Sequence, residues 1–257
     1  MSQISYNNTP TLYLIPTPIG NLDDITLRAI HVLKEVEVVF SEDTRVTALL
    51  LNHLNIKKKL ISNHEYNERE NKDKLLEYLK NGYSVGLVSD RGTPVISDPG
   101  YELAQVAIEN HYNVVSLPGA TALIPALTVS GIEPMPFLYY GFLNSKESKR
   151  KKELENLRNI KYTMIFYEAP HRITKTLEEM YRGTIQDVIE ETKEIKGEIV
   201  IVVSGNKEEI SYNDLSIEDH VNLYIKNGLN SKEAIKKVAE DRNIKKSEVY
   251  NIYHRGE

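Results

Sequence analysis

The stretch Leu87–Gly100 constrains this chain more than any other. The apolar run Val85–Val88 stops abruptly in Ser, Asp, Gly, Thr and Pro, and a helical pattern resumes at Tyr101. Strand, polar loop, helix is how open α/β sheets build ligand sites, because the carboxyl ends of their strands open into a crevice. Pro94 and Pro99 fix φ, while Gly92 and Gly100 admit conformations that other residues avoid, so this backbone is shaped rather than merely connecting. A plain connector takes about 2–6 residues and this one spends roughly ten.

The same alternation runs along most of the chain. Leu12–Ile15 reads as a short buried strand entering the rigid loop Pro16–Asn21, after which Asp23 and Asp24 can cap a helix with Leu27, Ile30 and Leu33 at helical spacing. Val36–Phe40 is continuous and β-branched, as a strand covered on both faces would be, and Ala48–Leu54 restores a helix. Asn67–Lys80 is a charged helix with an apolar stripe at Leu75, Leu76 and Leu79, stopped by Gly82. Tyr101–Asn110 is a helix and Val114–Leu117 a strand, and Pro118–Ala122 is a further strand-to-helix loop before the helix Leu123–Ser130. Such alternation predicts a mostly parallel sheet with helices on its faces.

The segment Gly131–Pro136 breaks the rhythm and marks a boundary between an N-terminal α/β domain, 1–131, and a second, 132–210. In the second, strands Leu138–Phe142 and Thr163–Tyr167 flank a basic helix, Lys146–Leu157; a helix to about Tyr181 and the strand Glu198–Val203 follow. From 211 to 257 the pattern is helical, with Ser231 and Ser247 as N-caps for Lys232–Asp241 and Glu248–His254.

Composition removes whole classes of function. A chain of 257 residues with 40% hydrophobic and 27% charged residues can bury a core, so it is globular rather than disordered. It has no apolar run long enough to span a membrane, and its polar N-terminus lacks the regions of a signal peptide, so a cytoplasmic location is expected. Without cysteine there is no disulfide, thiolate metal site or cysteine nucleophile. The histidines and carboxylates show no metal-ligand spacing, and a metal-free protein is expected. GxGxxG, GxxxxGK[ST] and GxSxG are all missing, which disfavours a dinucleotide fold, a P-loop and an α/β hydrolase. A net charge of −5 argues against a general nucleic-acid coat protein, though Lys57–Lys59, Lys149–Lys152 and Lys245–Lys246 form local basic clusters. Taken singly, such clusters are ordinary solvated lysines.

What remains is a set of Pro/Gly-punctuated loops after successive strands, 16–21, 89–100, 118–122 and 167–172. Together they suit one crevice. They offer backbone groups, hydroxyls and Asp90 but few cations, which fits a neutral or cationic small molecule better than a polyphosphate.

Six motifs then carry a resemblance: Thr17–Leu22, Glu42–Arg45, residues 89–100, Pro118–Gly119, Tyr167–Arg172 and Lys196–Glu198, in this order. Over about residues 11–205 the chain resembles the bacterial small-subunit (16S) rRNA (cytidine-2′-O)-methyltransferases, a branch of the tetrapyrrole-methylase-like superfamily, and its tail resembles their C-terminal helical extension. The resemblance implies two α/β domains with S-adenosylmethionine in the cleft between them, a homodimer, and methylation of the ribose 2′-hydroxyl of a cytidine in the decoding region, on free 16S rRNA or the small ribosomal subunit. It places Pro18, Gly20, Asn21, Asp90, Gly92, Thr93, Thr121, Ala122 and Tyr167 at the cofactor. Transfer from a sulfonium is an in-line displacement that needs alignment and removal of a proton. Glu168 and His171, which flank a proline-stiffened loop, are the preferred catalytic groups, followed by Asp90, with Asp43 also a candidate. Arg45, Arg172, Lys149, Arg150 and Lys151 would meet RNA phosphate, which positions without specifying sequence.

Two departures stand out. Arg91 occupies a position where the resembled family has a small residue. Between Tyr181 and Arg182 a strand and an Arg-Glu-Leu/Ile-Thr-Lys run are missing, and an omitted segment is expected there. A tetrapyrrole methyltransferase, or an inactive RNA-binding or assembly protein on the same fold, are the rival readings. The basic helix and the Pro170-His171-Arg172 loop favour RNA over a tetrapyrrole.

Overall fold

The computed structural model describes residues 9–64, 67–180, 197–206, 215–226 and 228–254. The chain divides into two compact units, Met1–Gly205 and Asn206–Glu257.

Five parallel strands make the larger sheet of the first unit: β1 (Thr11–Leu14), β2 (Val38–Ser41), β3 (Lys59–Ser62), β4 (Val85–Val88) and β5 (Asn113–Ser116), in the spatial order β3-β2-β4-β1-β5. Helices α1 (Leu27–Glu35), α2 (Thr44–His53), α3 (Glu68–Lys80) and α4 (Tyr101–Glu109) alternate with them. Val39 packs with Ala29, Val32 and Leu33 of α1 and Leu51 of α2, whereas Val38 and Phe40 pack with Leu75 and Leu79 of α3 and Leu103 and Ala107 of α4. That is why β2 is apolar at consecutive positions: helices cover both of its faces. Burying a side chain such as Phe40 in this way stabilises by about 1.5–3 kcal/mol.

The edge strand β3 escaped the sequence reading. Its Lys-Leu-Ile-Ser composition is only partly buried, as suits an edge that pairs with β2 alone and faces water. Some caps also differ from expectation. Thr26, not Asp23 or Asp24, caps α1 by accepting from Ala29 N (3.0 Å), and Asn21 caps the 3₁₀ turn Leu22–Asp24. Asp43 caps α2.

After α5 (Leu123–Val129), a smaller sheet holds β6 (Phe137–Phe142), β7 (Thr163–Glu168) and β8 (Ile199–Val203) in that order, the first pair parallel and the second antiparallel. Helices α6 (Glu147–Leu157) and α7 (Ile173–Met180) accompany it. The Tyr181–Arg182 junction, where a segment was expected to be missing, lies outside the described residues.

The second unit is helical, as expected. Its helices α8 (Ile217–Lys226), α9 (Ser231–Asp241) and α10 (Lys246–Tyr253) bury Val221, Ala234, Ile235, Val238, Ala239 and Val249. Asn230 and not Ser231 caps α9, in a reciprocal capping box with Glu233, and Ser247 lies inside α10 rather than at its cap.

Candidate functional site

The strand order determines which loops meet. β4, β1 and β5 are neighbours and parallel, with Leu14 beside both Leu87 and Ser116, so the loops that follow them leave the sheet at the same end. These loops are then tied together. Thr17 and Gly92 exchange backbone hydrogen bonds (2.9 and 3.0 Å), the Thr17 hydroxyl donates to Ser89 O (3.2 Å), and the Thr93 hydroxyl donates to Ala120 O (3.1 Å). Gly119 is required for this closeness, because a Cβ there would lie 2.5 Å from Pro16 Cβ. Gly92, at φ +84°, takes a left-handed conformation that favours glycine.

Where these loops face β8, one cavity opens, about 880 Å³ counting its mouth. Ile19, Gly92, Thr93, Thr121, Ala122 and Tyr167 line it, so all four loops singled out in the sequence contribute to one site. Arg91, Ile96, Asp98, Gly197, Glu198, Ile199 and Val200 complete the wall.

The cavity has an acidic side. Burial pushes the Asp98 carboxyl up to about 7; the charges of Glu42, Glu198 and Asp90 act in the same direction, against a hydrogen bond from Ser89. Burial likewise raises Glu42 and Asp90 from their ordinary values. The backbone around Asp98 is unusual: Val95 has φ +77° and Ser97 φ +66°, and a β-branched residue in that region costs about 1–3 kcal/mol. Ser97 is fixed by a 2.7 Å hydrogen bond to Tyr139 on β6, whose own hydroxyl is pushed up to about 12, chiefly by burial.

The structure sorts the residues named from sequence. Gly92, Thr93, Thr121, Ala122 and Tyr167 line the cavity, whereas Pro18, Gly20 and Asp90 line an adjoining hollow with Leu22, Val46 and Leu49; Arg91 borders both. Asn21 is occupied in capping its 3₁₀ turn. Among the groups proposed for catalysis, Asp90 accepts from Asp43 N (2.9 Å), and His171 is exposed and outside the lining residues. Glu168 requires correction. It is 1% exposed, and its carboxylate accepts from Ala169 N (2.8 Å), Arg172 Nε and Nη2 (2.8 and 2.5 Å) and the Thr176 hydroxyl (2.7 Å), which makes it a fastener between β7 and α7. Arg172 is held in the same pair.

Arg150 requires a second correction. It is 2% exposed and forms a two-pronged pair with Glu179 (2.6 and 2.7 Å) while donating to the carbonyls of Asn144 and Ser145 (3.2 and 3.1 Å), so it ties α6 to α7 rather than facing RNA. Its neighbours Lys149 and Lys151 are exposed, Lys151 pairing with Glu147 at 2.7 Å. Arg45 is exposed and wraps its own neighbour Asp43, which the guanidinium holds down at about 2. Asp98 is the residue that sequence reasoning missed; it lies in the 89–100 motif, where it is indistinguishable by composition from Asp90.

Comparison with known proteins agrees with this geometry. Residues 11–205 match the family model described as tetrapyrrole (corrin/porphyrin) methylases. A Bacillus subtilis protein named ribosomal RNA small subunit methyltransferase I is 45% identical, with 98% of each chain covered, and a Haemophilus influenzae protein of the same name is 38% identical over 95% of this chain and 96% of its own. The alignment to the B. subtilis protein extends over 285 positions, more than this chain's 257 residues, so that relative carries stretches this chain lacks. Among solved structures, uroporphyrin III C-methyl transferase from Thermus thermophilus shares the fold, with a TM-score of 0.53 and 20% identity over 75% of this chain and 96% of that one. The chain therefore belongs to the tetrapyrrole methylase family, in the group of proteins named ribosomal RNA small subunit methyltransferase I.

Proposed function

We propose that this protein methylates 16S rRNA, and that the acceptor is the ribose 2′-hydroxyl of a cytidine in the decoding region. The observation that carries the reading is the single cavity formed by loops after β1, β4, β5 and β7, in a chain whose near-full-length relatives are named for small-subunit rRNA methylation. The cofactor is S-adenosylmethionine, which when bound supplies an electrophilic methyl group on a sulfonium. The cavity residues fit it. Ile19, Ile96, Ile199 and Val200 give the apolar walls that a purine needs, Thr93 and Thr121 provide hydroxyls for its polar end, and Glu198 provides negative charge for a cation.

This chain's own part in the reaction is alignment, exclusion of water and acceptance of a proton. The tied loops hold their backbone groups in place before ligands arrive, and prior alignment of reacting atoms is worth several kcal/mol of barrier. Arg91 at the rim and exposed Lys149 and Lys151 carry positive charge for RNA phosphate. The reading includes a homodimer. Exposed Leu22, Val46 and Leu49 around the adjoining hollow form an apolar surface that a second copy would cover.

The test is to map 2′-O-methyl groups on small-subunit rRNA incubated with and without the protein and S-adenosylmethionine, using both free rRNA and assembled subunits. One decoding-region cytidine is expected to gain the mark. If no cytidine there changes in either substrate, the assignment fails.

A further inference from the structure

We propose that Asp98 is the catalytic residue that takes the proton from the ribose 2′-hydroxyl during methyl transfer; this rests on the methyltransferase reading above. A ribose hydroxyl is very weakly acidic, so its oxygen attacks well only as its proton departs to a positioned acceptor. Among the described residues that line the cavity, only Asp98 and Glu198 are carboxylates. Glu198 is exposed just before β8 and has a side chain one methylene longer. Asp98 is partly buried and carried on a backbone in which Val95 and Ser97 lie at positive φ, with Ser97 tied to Tyr139 by a 2.7 Å hydrogen bond.

The other candidates are occupied or elsewhere. Glu168 spends both oxygens on Ala169, Arg172 and Thr176. Asp90 lines the adjoining hollow and accepts from Asp43 N, and His171 is exposed outside the lining. Tyr139, pushed up to about 12 chiefly by burial, keeps its proton at neutral pH and is no base.

The surroundings suit Asp98 to this task. Glu42 from the loop after β2, Ser89 and Asp90 after β4 and Glu198 before β8 act directly on its carboxyl, and Asp98 in turn acts on Tyr139 of β6. Arg91 and Tyr167 of β7 share the cavity wall with it. A base whose proton affinity lies near the working pH combines a high ionised fraction with a strong pull on the proton. In the step itself, a lone pair on the 2′-oxygen forms the O–CH₃ bond as the S–CH₃ bond breaks. The electron pair of the broken bond stays on sulfur, giving a neutral thioether. The hydroxyl proton passes to an Asp98 carboxylate oxygen and from there to water, so the positive charge of the donor leaves as a proton.

The experiment compares wild type, Asp98→Asn and Asp98→Glu in single-turnover methylation of unmodified small-subunit rRNA across pH, with S-adenosylmethionine affinity measured by calorimetry. Wild-type kcat/KM should rise with pH through an acidic limb near neutrality and then level, because the ionised carboxylate is the active form. Asp98→Asn should lower the rate by about 10²–10⁴-fold and abolish that limb. It should leave cofactor affinity close to wild type, which shows the site still assembled, and Asp98→Glu should recover part of the rate. A rate for Asp98→Asn within a few-fold of wild type, or an acidic limb unchanged in it, overturns the assignment alone. Absence of methyl transfer by the wild-type protein overturns the functional reading, and the assignment with it.

Discussion

Glu168 separates two roles that its motif leaves open, and replacing it with Gln distinguishes them. In the fold its carboxylate is 1% exposed and accepts four hydrogen bonds, two of them from the Arg172 guanidinium. A glutamine can keep its oxygen toward Ala169 and Arg172 and turn its amide to the Thr176 hydroxyl, which can accept. Geometry survives, and the negative charge is what disappears. A hydrogen bond to a charged group contributes about 1.5–3 kcal/mol against about 0.5–1.5 for a neutral pair. Arg172 keeps some contact with water at 21% side-chain exposure, which limits the loss, so Glu168→Gln should cost about 2 kcal/mol. In a domain of this size that lowers Tm by about 4–8 °C. Thermal unfolding followed by circular dichroism reads the shift, and methylation assayed below the transition should stay within a few-fold of wild type. An unchanged Tm together with a rate loss of about 100-fold or more would refute the reasoning, because that combination marks a chemical group rather than a fastener.

Neighbouring residues of the basic helix should behave oppositely. Arg150→Ala strands the buried Glu179 and should cost about 3–5 kcal/mol in denaturant unfolding, whereas Lys149→Ala should leave stability unchanged and reduce the salt dependence of RNA binding by about one counterion. Gly119→Ala drives a Cβ against Pro16, so a destabilisation of about 1–3 kcal/mol is expected, with weaker S-adenosylmethionine binding by calorimetry. Asp98 should also leave a mark on stability. Its folded-state pKa of about 7 lies above the unfolded value of 3.8, so the folded protein binds the extra proton between these pH values and its stability falls as pH rises through that window. Asp98→Asn should therefore melt above wild type at pH 8, with the difference closing as pH approaches 4; a variant that melts lower at pH 8 contradicts this.

The loops of the site were legible because their composition is locally coded. Pro, Gly, Ser and Thr in 16–21, 89–100 and 118–122 have few uses other than sculpting backbone, and parallel β4-β1-β5 neighbours bring them to one edge. The cap of α1 and the strand β3 were less legible. Asp and Thr both cap helices, and Asp23 and Asp24 stand close enough to Thr26 to mimic the start of α1; β3 lacks the apolar run by which a buried strand announces itself.

Arg150 and Asp98 show what local coding cannot carry. A Lys-Arg-Lys-Lys run reads as solvated at every position, and only Glu179, on α7 in the next strand–helix unit, decides that one of the four turns inward. Within Ser89–Gly100 both aspartates lie between turn residues and look alike in sequence. Their difference arises from the path of the backbone between them. Val95 and Ser97 at positive φ redirect the chain, so Asp98 lines the cavity while Asp90 lines the hollow beside it. That path is strained for a valine, and Tyr139 from the other sheet helps to hold it through Ser97. The feature that selects Asp98 is thus formed by two sheets at once, through a loop after β4 and a tyrosine of β6. The acidic surroundings follow the same logic: Glu42, Asp90 and Glu198 come from three separate segments, and their mutual repulsion is tolerated where a cation is to be bound.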